Sequence, residues 1–254
     1  MDCYFTSDLH LNSFCINKYA KRPFLGAEQA AAELVKNINS RCKRNDLLVH
    51  VGDFMLKSAD RHGEVEDIPL DVSLEAYLDQ INCRVFLLDG NHDSSHAFKS
   101  DAKSLVLDLS PSCRNVYVSH FPSDHPSYCG PKHTAFNNSR PRVVLCGHVH
   151  QAWLFKYDFA KNTINYNVGV DQHSYFPVKS TEIVEDLENL KRFAFFSRTW
   201  TMTRNDFIAT LKKHIHEARE AKAASKKEKH AKRGLSPEEC ERRKLEAMKR
   251  KGLI

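Results

Sequence analysis

Leu47-Leu48-Val49-His50-Val51-Gly52-Asp53 is a strand-length apolar run that stops at a glycine and a carboxylate. Asn45-Asp46 breaks the pattern before it, and the β-branched content suits a buried strand. Working outward, the same plan recurs. Val85 to Leu88 leads into Gly90-Asn91-His92-Asp93, and Val116-Tyr117-Val118-Ser119 leads into His120. Val143 to Cys146 leads into Gly147-His148-Val149-His150, and near the start Asp8-Leu9-His10 follows another strand-like stretch. Each of these five runs ends in a residue type that ligates metals. Strands make a rigid platform, and the loops leaving one edge of a sheet converge on a shared crevice.

Helical periodicity separates the runs. Ala31, Leu34, Val35, Ile38 and Cys42 share one face of a helix from Ala27 to Cys42, and Leu74, Tyr77, Leu78 and Ile81 share another, with Ser73 as its N-cap. Further strands are expected at Leu105 to Leu109 and at two alternating segments, Trp153-Phe155-Tyr157 and Ile164-Tyr166-Val168, joined by a hairpin loop at Ala160-Lys161-Asn162. A helix bearing Ile183, Leu187 and Leu190 follows, capped by Ser180, and another starts near Thr203. Alternating helix and strand, then mostly strand, predicts an α/β sandwich with sheet on sheet and helices outside. The expected domains are residues 1–200 and a basic, largely helical extension, 201–254.

In 254 residues, 41% of them hydrophobic, one large domain can bury a full core. No apolar run approaches the length that spans a bilayer, and no leader pattern precedes Asp8, so a cytoplasmic location is expected. Eight cysteines include no Cys-x-x-Cys pair, and several lie in apolar runs, which favours reduced thiols over a disulfide framework. The net charge of +6 is localised. Leu211 to Ile254 holds 15 Lys and Arg against 7 Glu, while the rest holds 23 basic and 25 acidic side chains. The basicity therefore belongs to the tail.

Carboxylate, imidazole and amide donors together suit hard or borderline divalent cations. Asp-x-His is expected to place two side chains on one side of an extended segment, and His148 and His150 to repeat that arrangement. Gly52 and Gly90 let the chain turn where a side chain would crowd the centre. Two cations about 3.5–4 Å apart grip both sides of an in-line displacement, and anionic phosphate esters are the natural substrates.

Over roughly the first 180 residues these segments, all present and in order, resemble the calcineurin-like metallophosphoesterases. The resemblance implies a four-layer α-β-β-α sandwich with a dinuclear centre at one sheet edge. It implies Asp8, His10 and His150 on one metal, Asn91, His120 and His148 on the other, and Asp53 bridging. It assigns His92 to protonating the leaving oxygen or stabilising the transition state, and Asp93 to orienting that imidazole. Manganese is the expected metal, with iron, zinc or nickel as alternatives. Hydroxide held by the cations is expected to attack phosphorus directly, without a covalent enzyme intermediate. Lys18-Tyr19-Ala20-Lys21-Arg22-Pro23-Phe24 and Asn167-Val168-Gly169-Val170-Asp171 are similar to segments of the small stand-alone enzymes of bacteria and their phages. In that comparison Arg22 is a candidate phosphate contact. Where such enzymes often carry Gly-His, this chain has Asn12-Ser13, which makes Asn12 another candidate substrate contact.

Other residues read more plainly. His50, inside a strand, reads as a satisfied core histidine, His173 as a loop histidine that could approach the site, and Cys146 as strand core. The long loop from Pro122 to Pro141 holds His125, Lys132, His133 and Arg140, of which Lys132 and Arg140 are candidates for substrate recognition. Substrates left open are phosphomonoesters, nucleotides and phosphodiesters. A nuclease anchored by the basic tail is the main rival, and a non-catalytic nucleic-acid or partner-binding module is the reading from another class. A protein Ser/Thr phosphatase is disfavoured, because Phe54-Met55-Leu56-Lys57 stands where that branch carries an acidic-Arg-Gly stretch. The tail can neutralise phosphates through Lys226-Lys227, Lys232-Arg233 and Arg242-Arg243-Lys244, yet no aromatic residue follows Phe207 to stack on bases.

Overall fold

The computed structural model describes residues 1–13, 15–56, 72–93, 100–130, 141–193 and 198–232, with 242, 245, 246, 248 and 249. Lys132, His133 and Arg140 of the long loop, and the segments 57–71 and 233–241, lie outside the described residues.

Two sheets carry the fold. In the first, β1 (Cys3–Thr6), β2 (Leu47–Val51) and β3 (Arg84–Leu88) run parallel, and β9 (Val178–Lys179) pairs antiparallel with β1, giving the order β3-β2-β1-β9. After the short α1 (Cys15–Tyr19), α2 (Ala27–Arg41) forms where the periodicity places it, followed by α3 (Leu74–Leu78). The Ser73 side chain accepts from the Ala76 amide at 3.2 Å, satisfying a free donor of the first turn of α3. Leu34, Val35 and Ile38 of α2 pack with Tyr77 of α3 and with Tyr4 and Leu48 of the sheet. Each fully buried Leu or Ile there contributes about 2 kcal/mol.

The second sheet contains β4 (Ser104–Leu107), β5 (Val116–Ser119), β6 (Arg142–Cys146), β7 (Phe155–Asp158), β8 (Thr163–Asn167) and β10 (Trp200–Met202), in the order β10-β7-β8-β6-β5-β4. β5, β6 and β8 are parallel, and β4, β7 and β10 pair antiparallel with their neighbours. The β7–β8 hairpin turns at Asn162, which has φ 46° and accepts from the Tyr157 hydroxyl at 2.9 Å. Register sorts the faces. Val143 and Leu145 pair with Ile164 and Tyr166, and the Tyr166 hydroxyl reaches Asp186 of α4 (Ser180–Phe193) at 2.8 Å. On the opposite face Tyr117, Val144, Cys146 and Trp153 form a smaller cluster with Tyr128 and Val149 against it. There the Ser123 amide donates to Asn165 Oδ1 at 2.7 Å. The architecture is thus a mixed α/β fold of two mixed sheets with helices. Among the described residues, Tyr128 of the loop after His120 packs on this last face.

The parallel strands end along one rim. A parallel bridge between Ser7 and Gly169 joins the continuation of β1 to that of β8. The Ser7 hydroxyl donates to the carbonyl of Val51 at 2.8 Å, and the Gly147 amide donates to the carbonyl of His120 at 3.0 Å.

The chain divides into two compact units, Met1–Phe207 and Ile208–Ile254. α5 (Arg204–Lys232) starts in the first, where Thr203 and Asp206 exchange cap hydrogen bonds and Phe207 packs 5.1 Å from Phe155. In the second unit the helix continues with Ile208 and Ile215 exposed. The sequence suggested a largely helical extension here. Alanine and long straight side chains carry it further, with pairs such as Lys213–Glu217 and His216–Glu220 one turn apart. No helix among the described residues is long and apolar enough to cross a membrane.

Candidate metal centre

The strand-end motifs turn more sharply than alternation predicts. β1 stops at Thr6 and β6 at Cys146, and the donors beyond them have left-handed backbones: Asp8 (φ 61°), His10 (51°), His148 (71°) and His150 (46°), as does Asp53 (59°). Asp-x-His is therefore not an extended segment. Its two side chains are brought round by alternate left-handed residues, each strained by roughly 1–3 kcal/mol. Hydrogen bonds between turns hold the strain: Asp8 N to Gly52 O at 3.1 Å, His10 N to Asp53 O at 3.0 Å and Leu11 N to Phe54 O at 3.0 Å. The glycines allow the turns to touch. A Cβ on Gly90 would sit 2.2 Å from Asp53 Oδ1, and one on Gly147 would sit 2.0 Å from Ser7 Oγ.

The seven expected ligands come together. Donor atoms of Asp8, His10 and His150 lie within 4.8 Å of one another, as do those of Asp8, Asp53 and His120, and those of His10, Asp53 and His92. Asn91 Oδ1 is 3.0 Å from both His120 Nε2 and His148 Nδ1. Asp53 Oδ2 stands between the two groups, 3.5 Å from His10 Nε2 and 3.2 Å from His120 Nε2. His120 Nδ1 meets the Val51 carbonyl at 3.0 Å, which puts the proton there and frees Nε2 for a cation.

The residues fit divalent ions. His10 Nε2 is buried without a hydrogen-bond partner among the described residues, aimed at the carboxylates. Asp8 and Asp53 are 0% and 2% exposed, and buried carboxylates are costly without a compensating cation. Burial pushes the Asp8 carboxyl up and the His10 imidazole well down. For Asp53 burial acts upward, but the hydrogen bond and charge of His120 outweigh it, and the carboxyl is held well below the usual range. His120 rises correspondingly to about 9, burial opposing and Asp53 winning. His148 falls to about 4 through burial and the neighbouring His120 and His125.

Three expected contacts have other roles. Arg22 does not face the crevice. Its guanidinium is buried, bound to Asp171 through Nε (2.8 Å) and Nη2 (2.9 Å) and to the carbonyls of Leu9 (3.1 Å) and Asp8 (2.6 Å). Asn12 is consumed likewise, donating to Val72 O at 2.9 Å and accepting from the Tyr77 hydroxyl at 2.7 Å. Asp93 accepts from the amides of Asp53 (2.6 Å), Phe54 (3.0 Å) and Gly90 (3.0 Å), so it pins two ligand turns and not the His92 ring. Burial and Asp53 raise it to about 6. The His92 ring, half-buried, stands edge-on to His10 with centroids 5.1 Å apart.

Asp171 was given no role from the sequence, although its segment stood out. It binds His150 Nδ1 at 2.9 Å, leaving Nε2 for a metal. Asn167 and Gln172 donate to the His150 carbonyl at 2.8 and 3.1 Å. His173 instead turns inward to the Asn167 carbonyl at 2.9 Å. Cys146 is buried strand core. His50 is buried too, but neither ring nitrogen has a hydrogen-bond partner among the described residues. It is a core histidine, yet not a satisfied one.

Carboxylates, imidazoles and an amide thus gather at the strand ends of a paired-sheet fold, a donor set that suits divalent metal ions. Residues 1–116 match the family model described as calcineurin-like phosphoesterase, and the superfamily resemblance holds at that level. The match includes Asp8, His10, Asp53 and Asn91; His120, His148 and His150 lie beyond it and join the site through the fold. The chain is 25% identical over 189 residues to an uncharacterized protein of Methanocaldococcus jannaschii, covering 74% of this chain and 92% of that protein. A crystal structure of a protein of unknown function from Aquifex aeolicus aligns with a TM-score of 0.48 at 20% identity, covering 72% of this chain and 98% of that one.

Proposed function

We propose that the protein is a dinuclear metal-dependent phosphoesterase acting on phosphate mono- or diesters, nucleotide-type esters among them. The observation that carries this is the convergence of seven donors with Asp53 between two groups of ligand atoms. Asp8, His10, Asp53 and His150 would hold one cation, and Asp53, Asn91, His120 and His148 the other, with manganese first choice for such a mixed donor set. When bound, the cations neutralise phosphoryl charge and lower the pKa of water. Asp53 keeps both groups in register, and Asp93 fixes the turns that carry Asp53 and Asn91. His92 stands at the open side beside His10 and donates a proton to the departing ester oxygen.

The test is hydrolysis of a chromogenic phosphate monoester and diester by manganese-loaded protein, with His92→Ala alongside. The variant should keep its metal and lose turnover. Wild-type turnover in the variant would refute the acid role, and no rate above buffer for the wild type on either ester would favour a binding module. The exposed cationic stretch of α5 supports a second reading, a nuclease anchored by its tail. Truncation after Glu217 separates the two: loss of DNA cleavage with small-ester hydrolysis intact points to the nuclease.

A further inference from the structure

We propose that His125 is a second substrate-contacting imidazole, giving a hydrogen bond from Nε2 to the phosphoryl group on the His148 side of the centre. The inference rests on the phosphoesterase reading. The mouth of the site is marked by its less buried members, Asn91 (exposed) and His92, His148 and His150 (half-buried). His125, also half-buried, belongs to that set without being a metal ligand.

Its ring is held in place from three sides. It stacks flat on Phe121 with centroids 4.5 Å apart and planes at 9°, and it meets the His148 ring edge-on at 4.8 Å. Phe121 in turn touches both ligand imidazoles, 5.0 Å from His120 and 5.0 Å from His148. The orientation about that stack is set by Nδ1, which accepts from the Ser127 amide at 3.1 Å. An Nδ1 that accepts carries no proton, so in the neutral ring the proton sits on Nε2, and that donor has no partner among the described residues. The backbone is pinned as well, His125 N to Pro122 O at 2.9 Å and Tyr128 N to His125 O at 3.0 Å.

A short loop thus spends a ring stack, a side-chain acceptor and two backbone bonds to present one N–H donor beside a ligand. The tetrahedral anion that such a centre would take has oxygens that bound cations would leave free. His92 stands beside His10 and His125 beside His148, so the two non-ligand imidazoles flank opposite ligand groups. An N–H on that side matches a phosphoryl oxygen directed away from His92.

Two variants decide it. His125→Phe keeps the stack on Phe121 and removes the donor; His125→Gln puts an amide N–H close to the position of Nε2. Inorganic phosphate is titrated calorimetrically into manganese-loaded wild type and both variants, with metal content and melting temperature measured alongside. The expected result is a phosphate Kd raised about tenfold in His125→Phe. His125→Gln should recover most of that loss, with two metals retained throughout. Equal phosphate affinity in His125→Phe and wild type overturns the proposal. So does loss of metal or fold in parallel with phosphate in both variants, which would make His125 a prop for His148. Ester turnover by the wild type reports separately on the phosphoesterase reading, because the phosphate titration does not need turnover.

Discussion

His150 Nδ1 lies 2.9 Å from Oδ2 of Asp171, and the other oxygen of that carboxylate is 2.8 Å from Arg22 Nε. The imidazole proton is thereby fixed on Nδ1 and the Nε2 lone pair is turned toward Asp8 and His10. The interaction also raises the His150 pKa, burial opposing it, while Asp171 is held low despite burial by His150 and Arg22. Asp171→Asn removes the charge but not the shape. Metal affinity at the Asp8–His10–His150 group should fall about 10- to 100-fold. Elemental analysis across a metal titration would read this as one tight ion against the two proposed for the wild type. Undiminished binding of both would show that Asp171 does not govern the tautomer.

Arg22 is predicted to act on the fold and not on the substrate. Its guanidinium ties Asp171 to the carbonyls of Asp8 and Leu9, so it sets the strained turn that carries Asp8 and His10. Lysine cannot reproduce a bidentate pair plus two carbonyl contacts. Arg22→Lys should lower stability by roughly 3 kcal/mol, the scale of breaking a buried pair, and weaken metal retention. Phosphate affinity of fully metal-loaded protein should stay as in the wild type. A selective loss of phosphate binding with stability intact would restore the direct-contact role that sequence similarity suggested.

The residues that gather at the rim and most strands were legible because both depend on local pattern. Leu47–Val51 is bounded by residues that cannot continue a strand, and each candidate ligand follows such a run within four residues. The side chains that hold the ligands were not legible. Arg22 and Asp171 are 149 residues apart, and Asn12 meets Tyr77 across 65. Nothing local distinguishes an arginine that grips phosphate from one that grips a buried aspartate. Asp93 misled for the same reason: adjacency to His92 suggested a pair, while the αL turn at Asp53 offered it amides instead. The α5 helix runs on past the buried Phe207 because propensity and i,i+4 pairs carry a helix where no core does.

Gly90→Ala should empty the centre without unfolding the sheets. The added methyl would stand 2.2 Å from Asp53 Oδ1 and 2.4 Å from its backbone nitrogen, so the shared carboxylate must move. Asp53 serves both ligand groups, so both ions are expected to bind more weakly, with far-ultraviolet circular dichroism unchanged. Two ions bound at wild-type affinity would mean that the Gly90–Asp53 approach does not position the bridge.

His50 offers a test of acid stability. It is fully buried on β2 opposite Thr6 of β1; both ring nitrogens and the Thr6 hydroxyl lack hydrogen-bond partners among the described residues, and the ring meets Phe54 edge-on at 4.9 Å. Burial lowers its pKa from 6.5 to about 3. Above 6.5 the ring is neutral in both folded and unfolded chains and no protons are exchanged on folding. As pH falls from 6.5 toward 3 the unfolded chain takes up a proton that the folded one refuses, so stability is lost across that window. At pH 5 the loss from this one group is about 2 kcal/mol. His50→Val keeps strand propensity and nearly the same volume while deleting two buried, unsatisfied nitrogens. The variant should equal or exceed wild type in urea unfolding at pH 8, and its advantage should widen by about 2 kcal/mol at pH 5. Metal-stripped protein is the right sample, because bound ions would add their own pH dependence. His173, also lowered to about 3, is present in both proteins and cancels in the difference. An advantage that does not grow between pH 8 and pH 5 would mean that His50 is protonated in the fold, with a hydrogen-bond partner supplied by water inside the sheet.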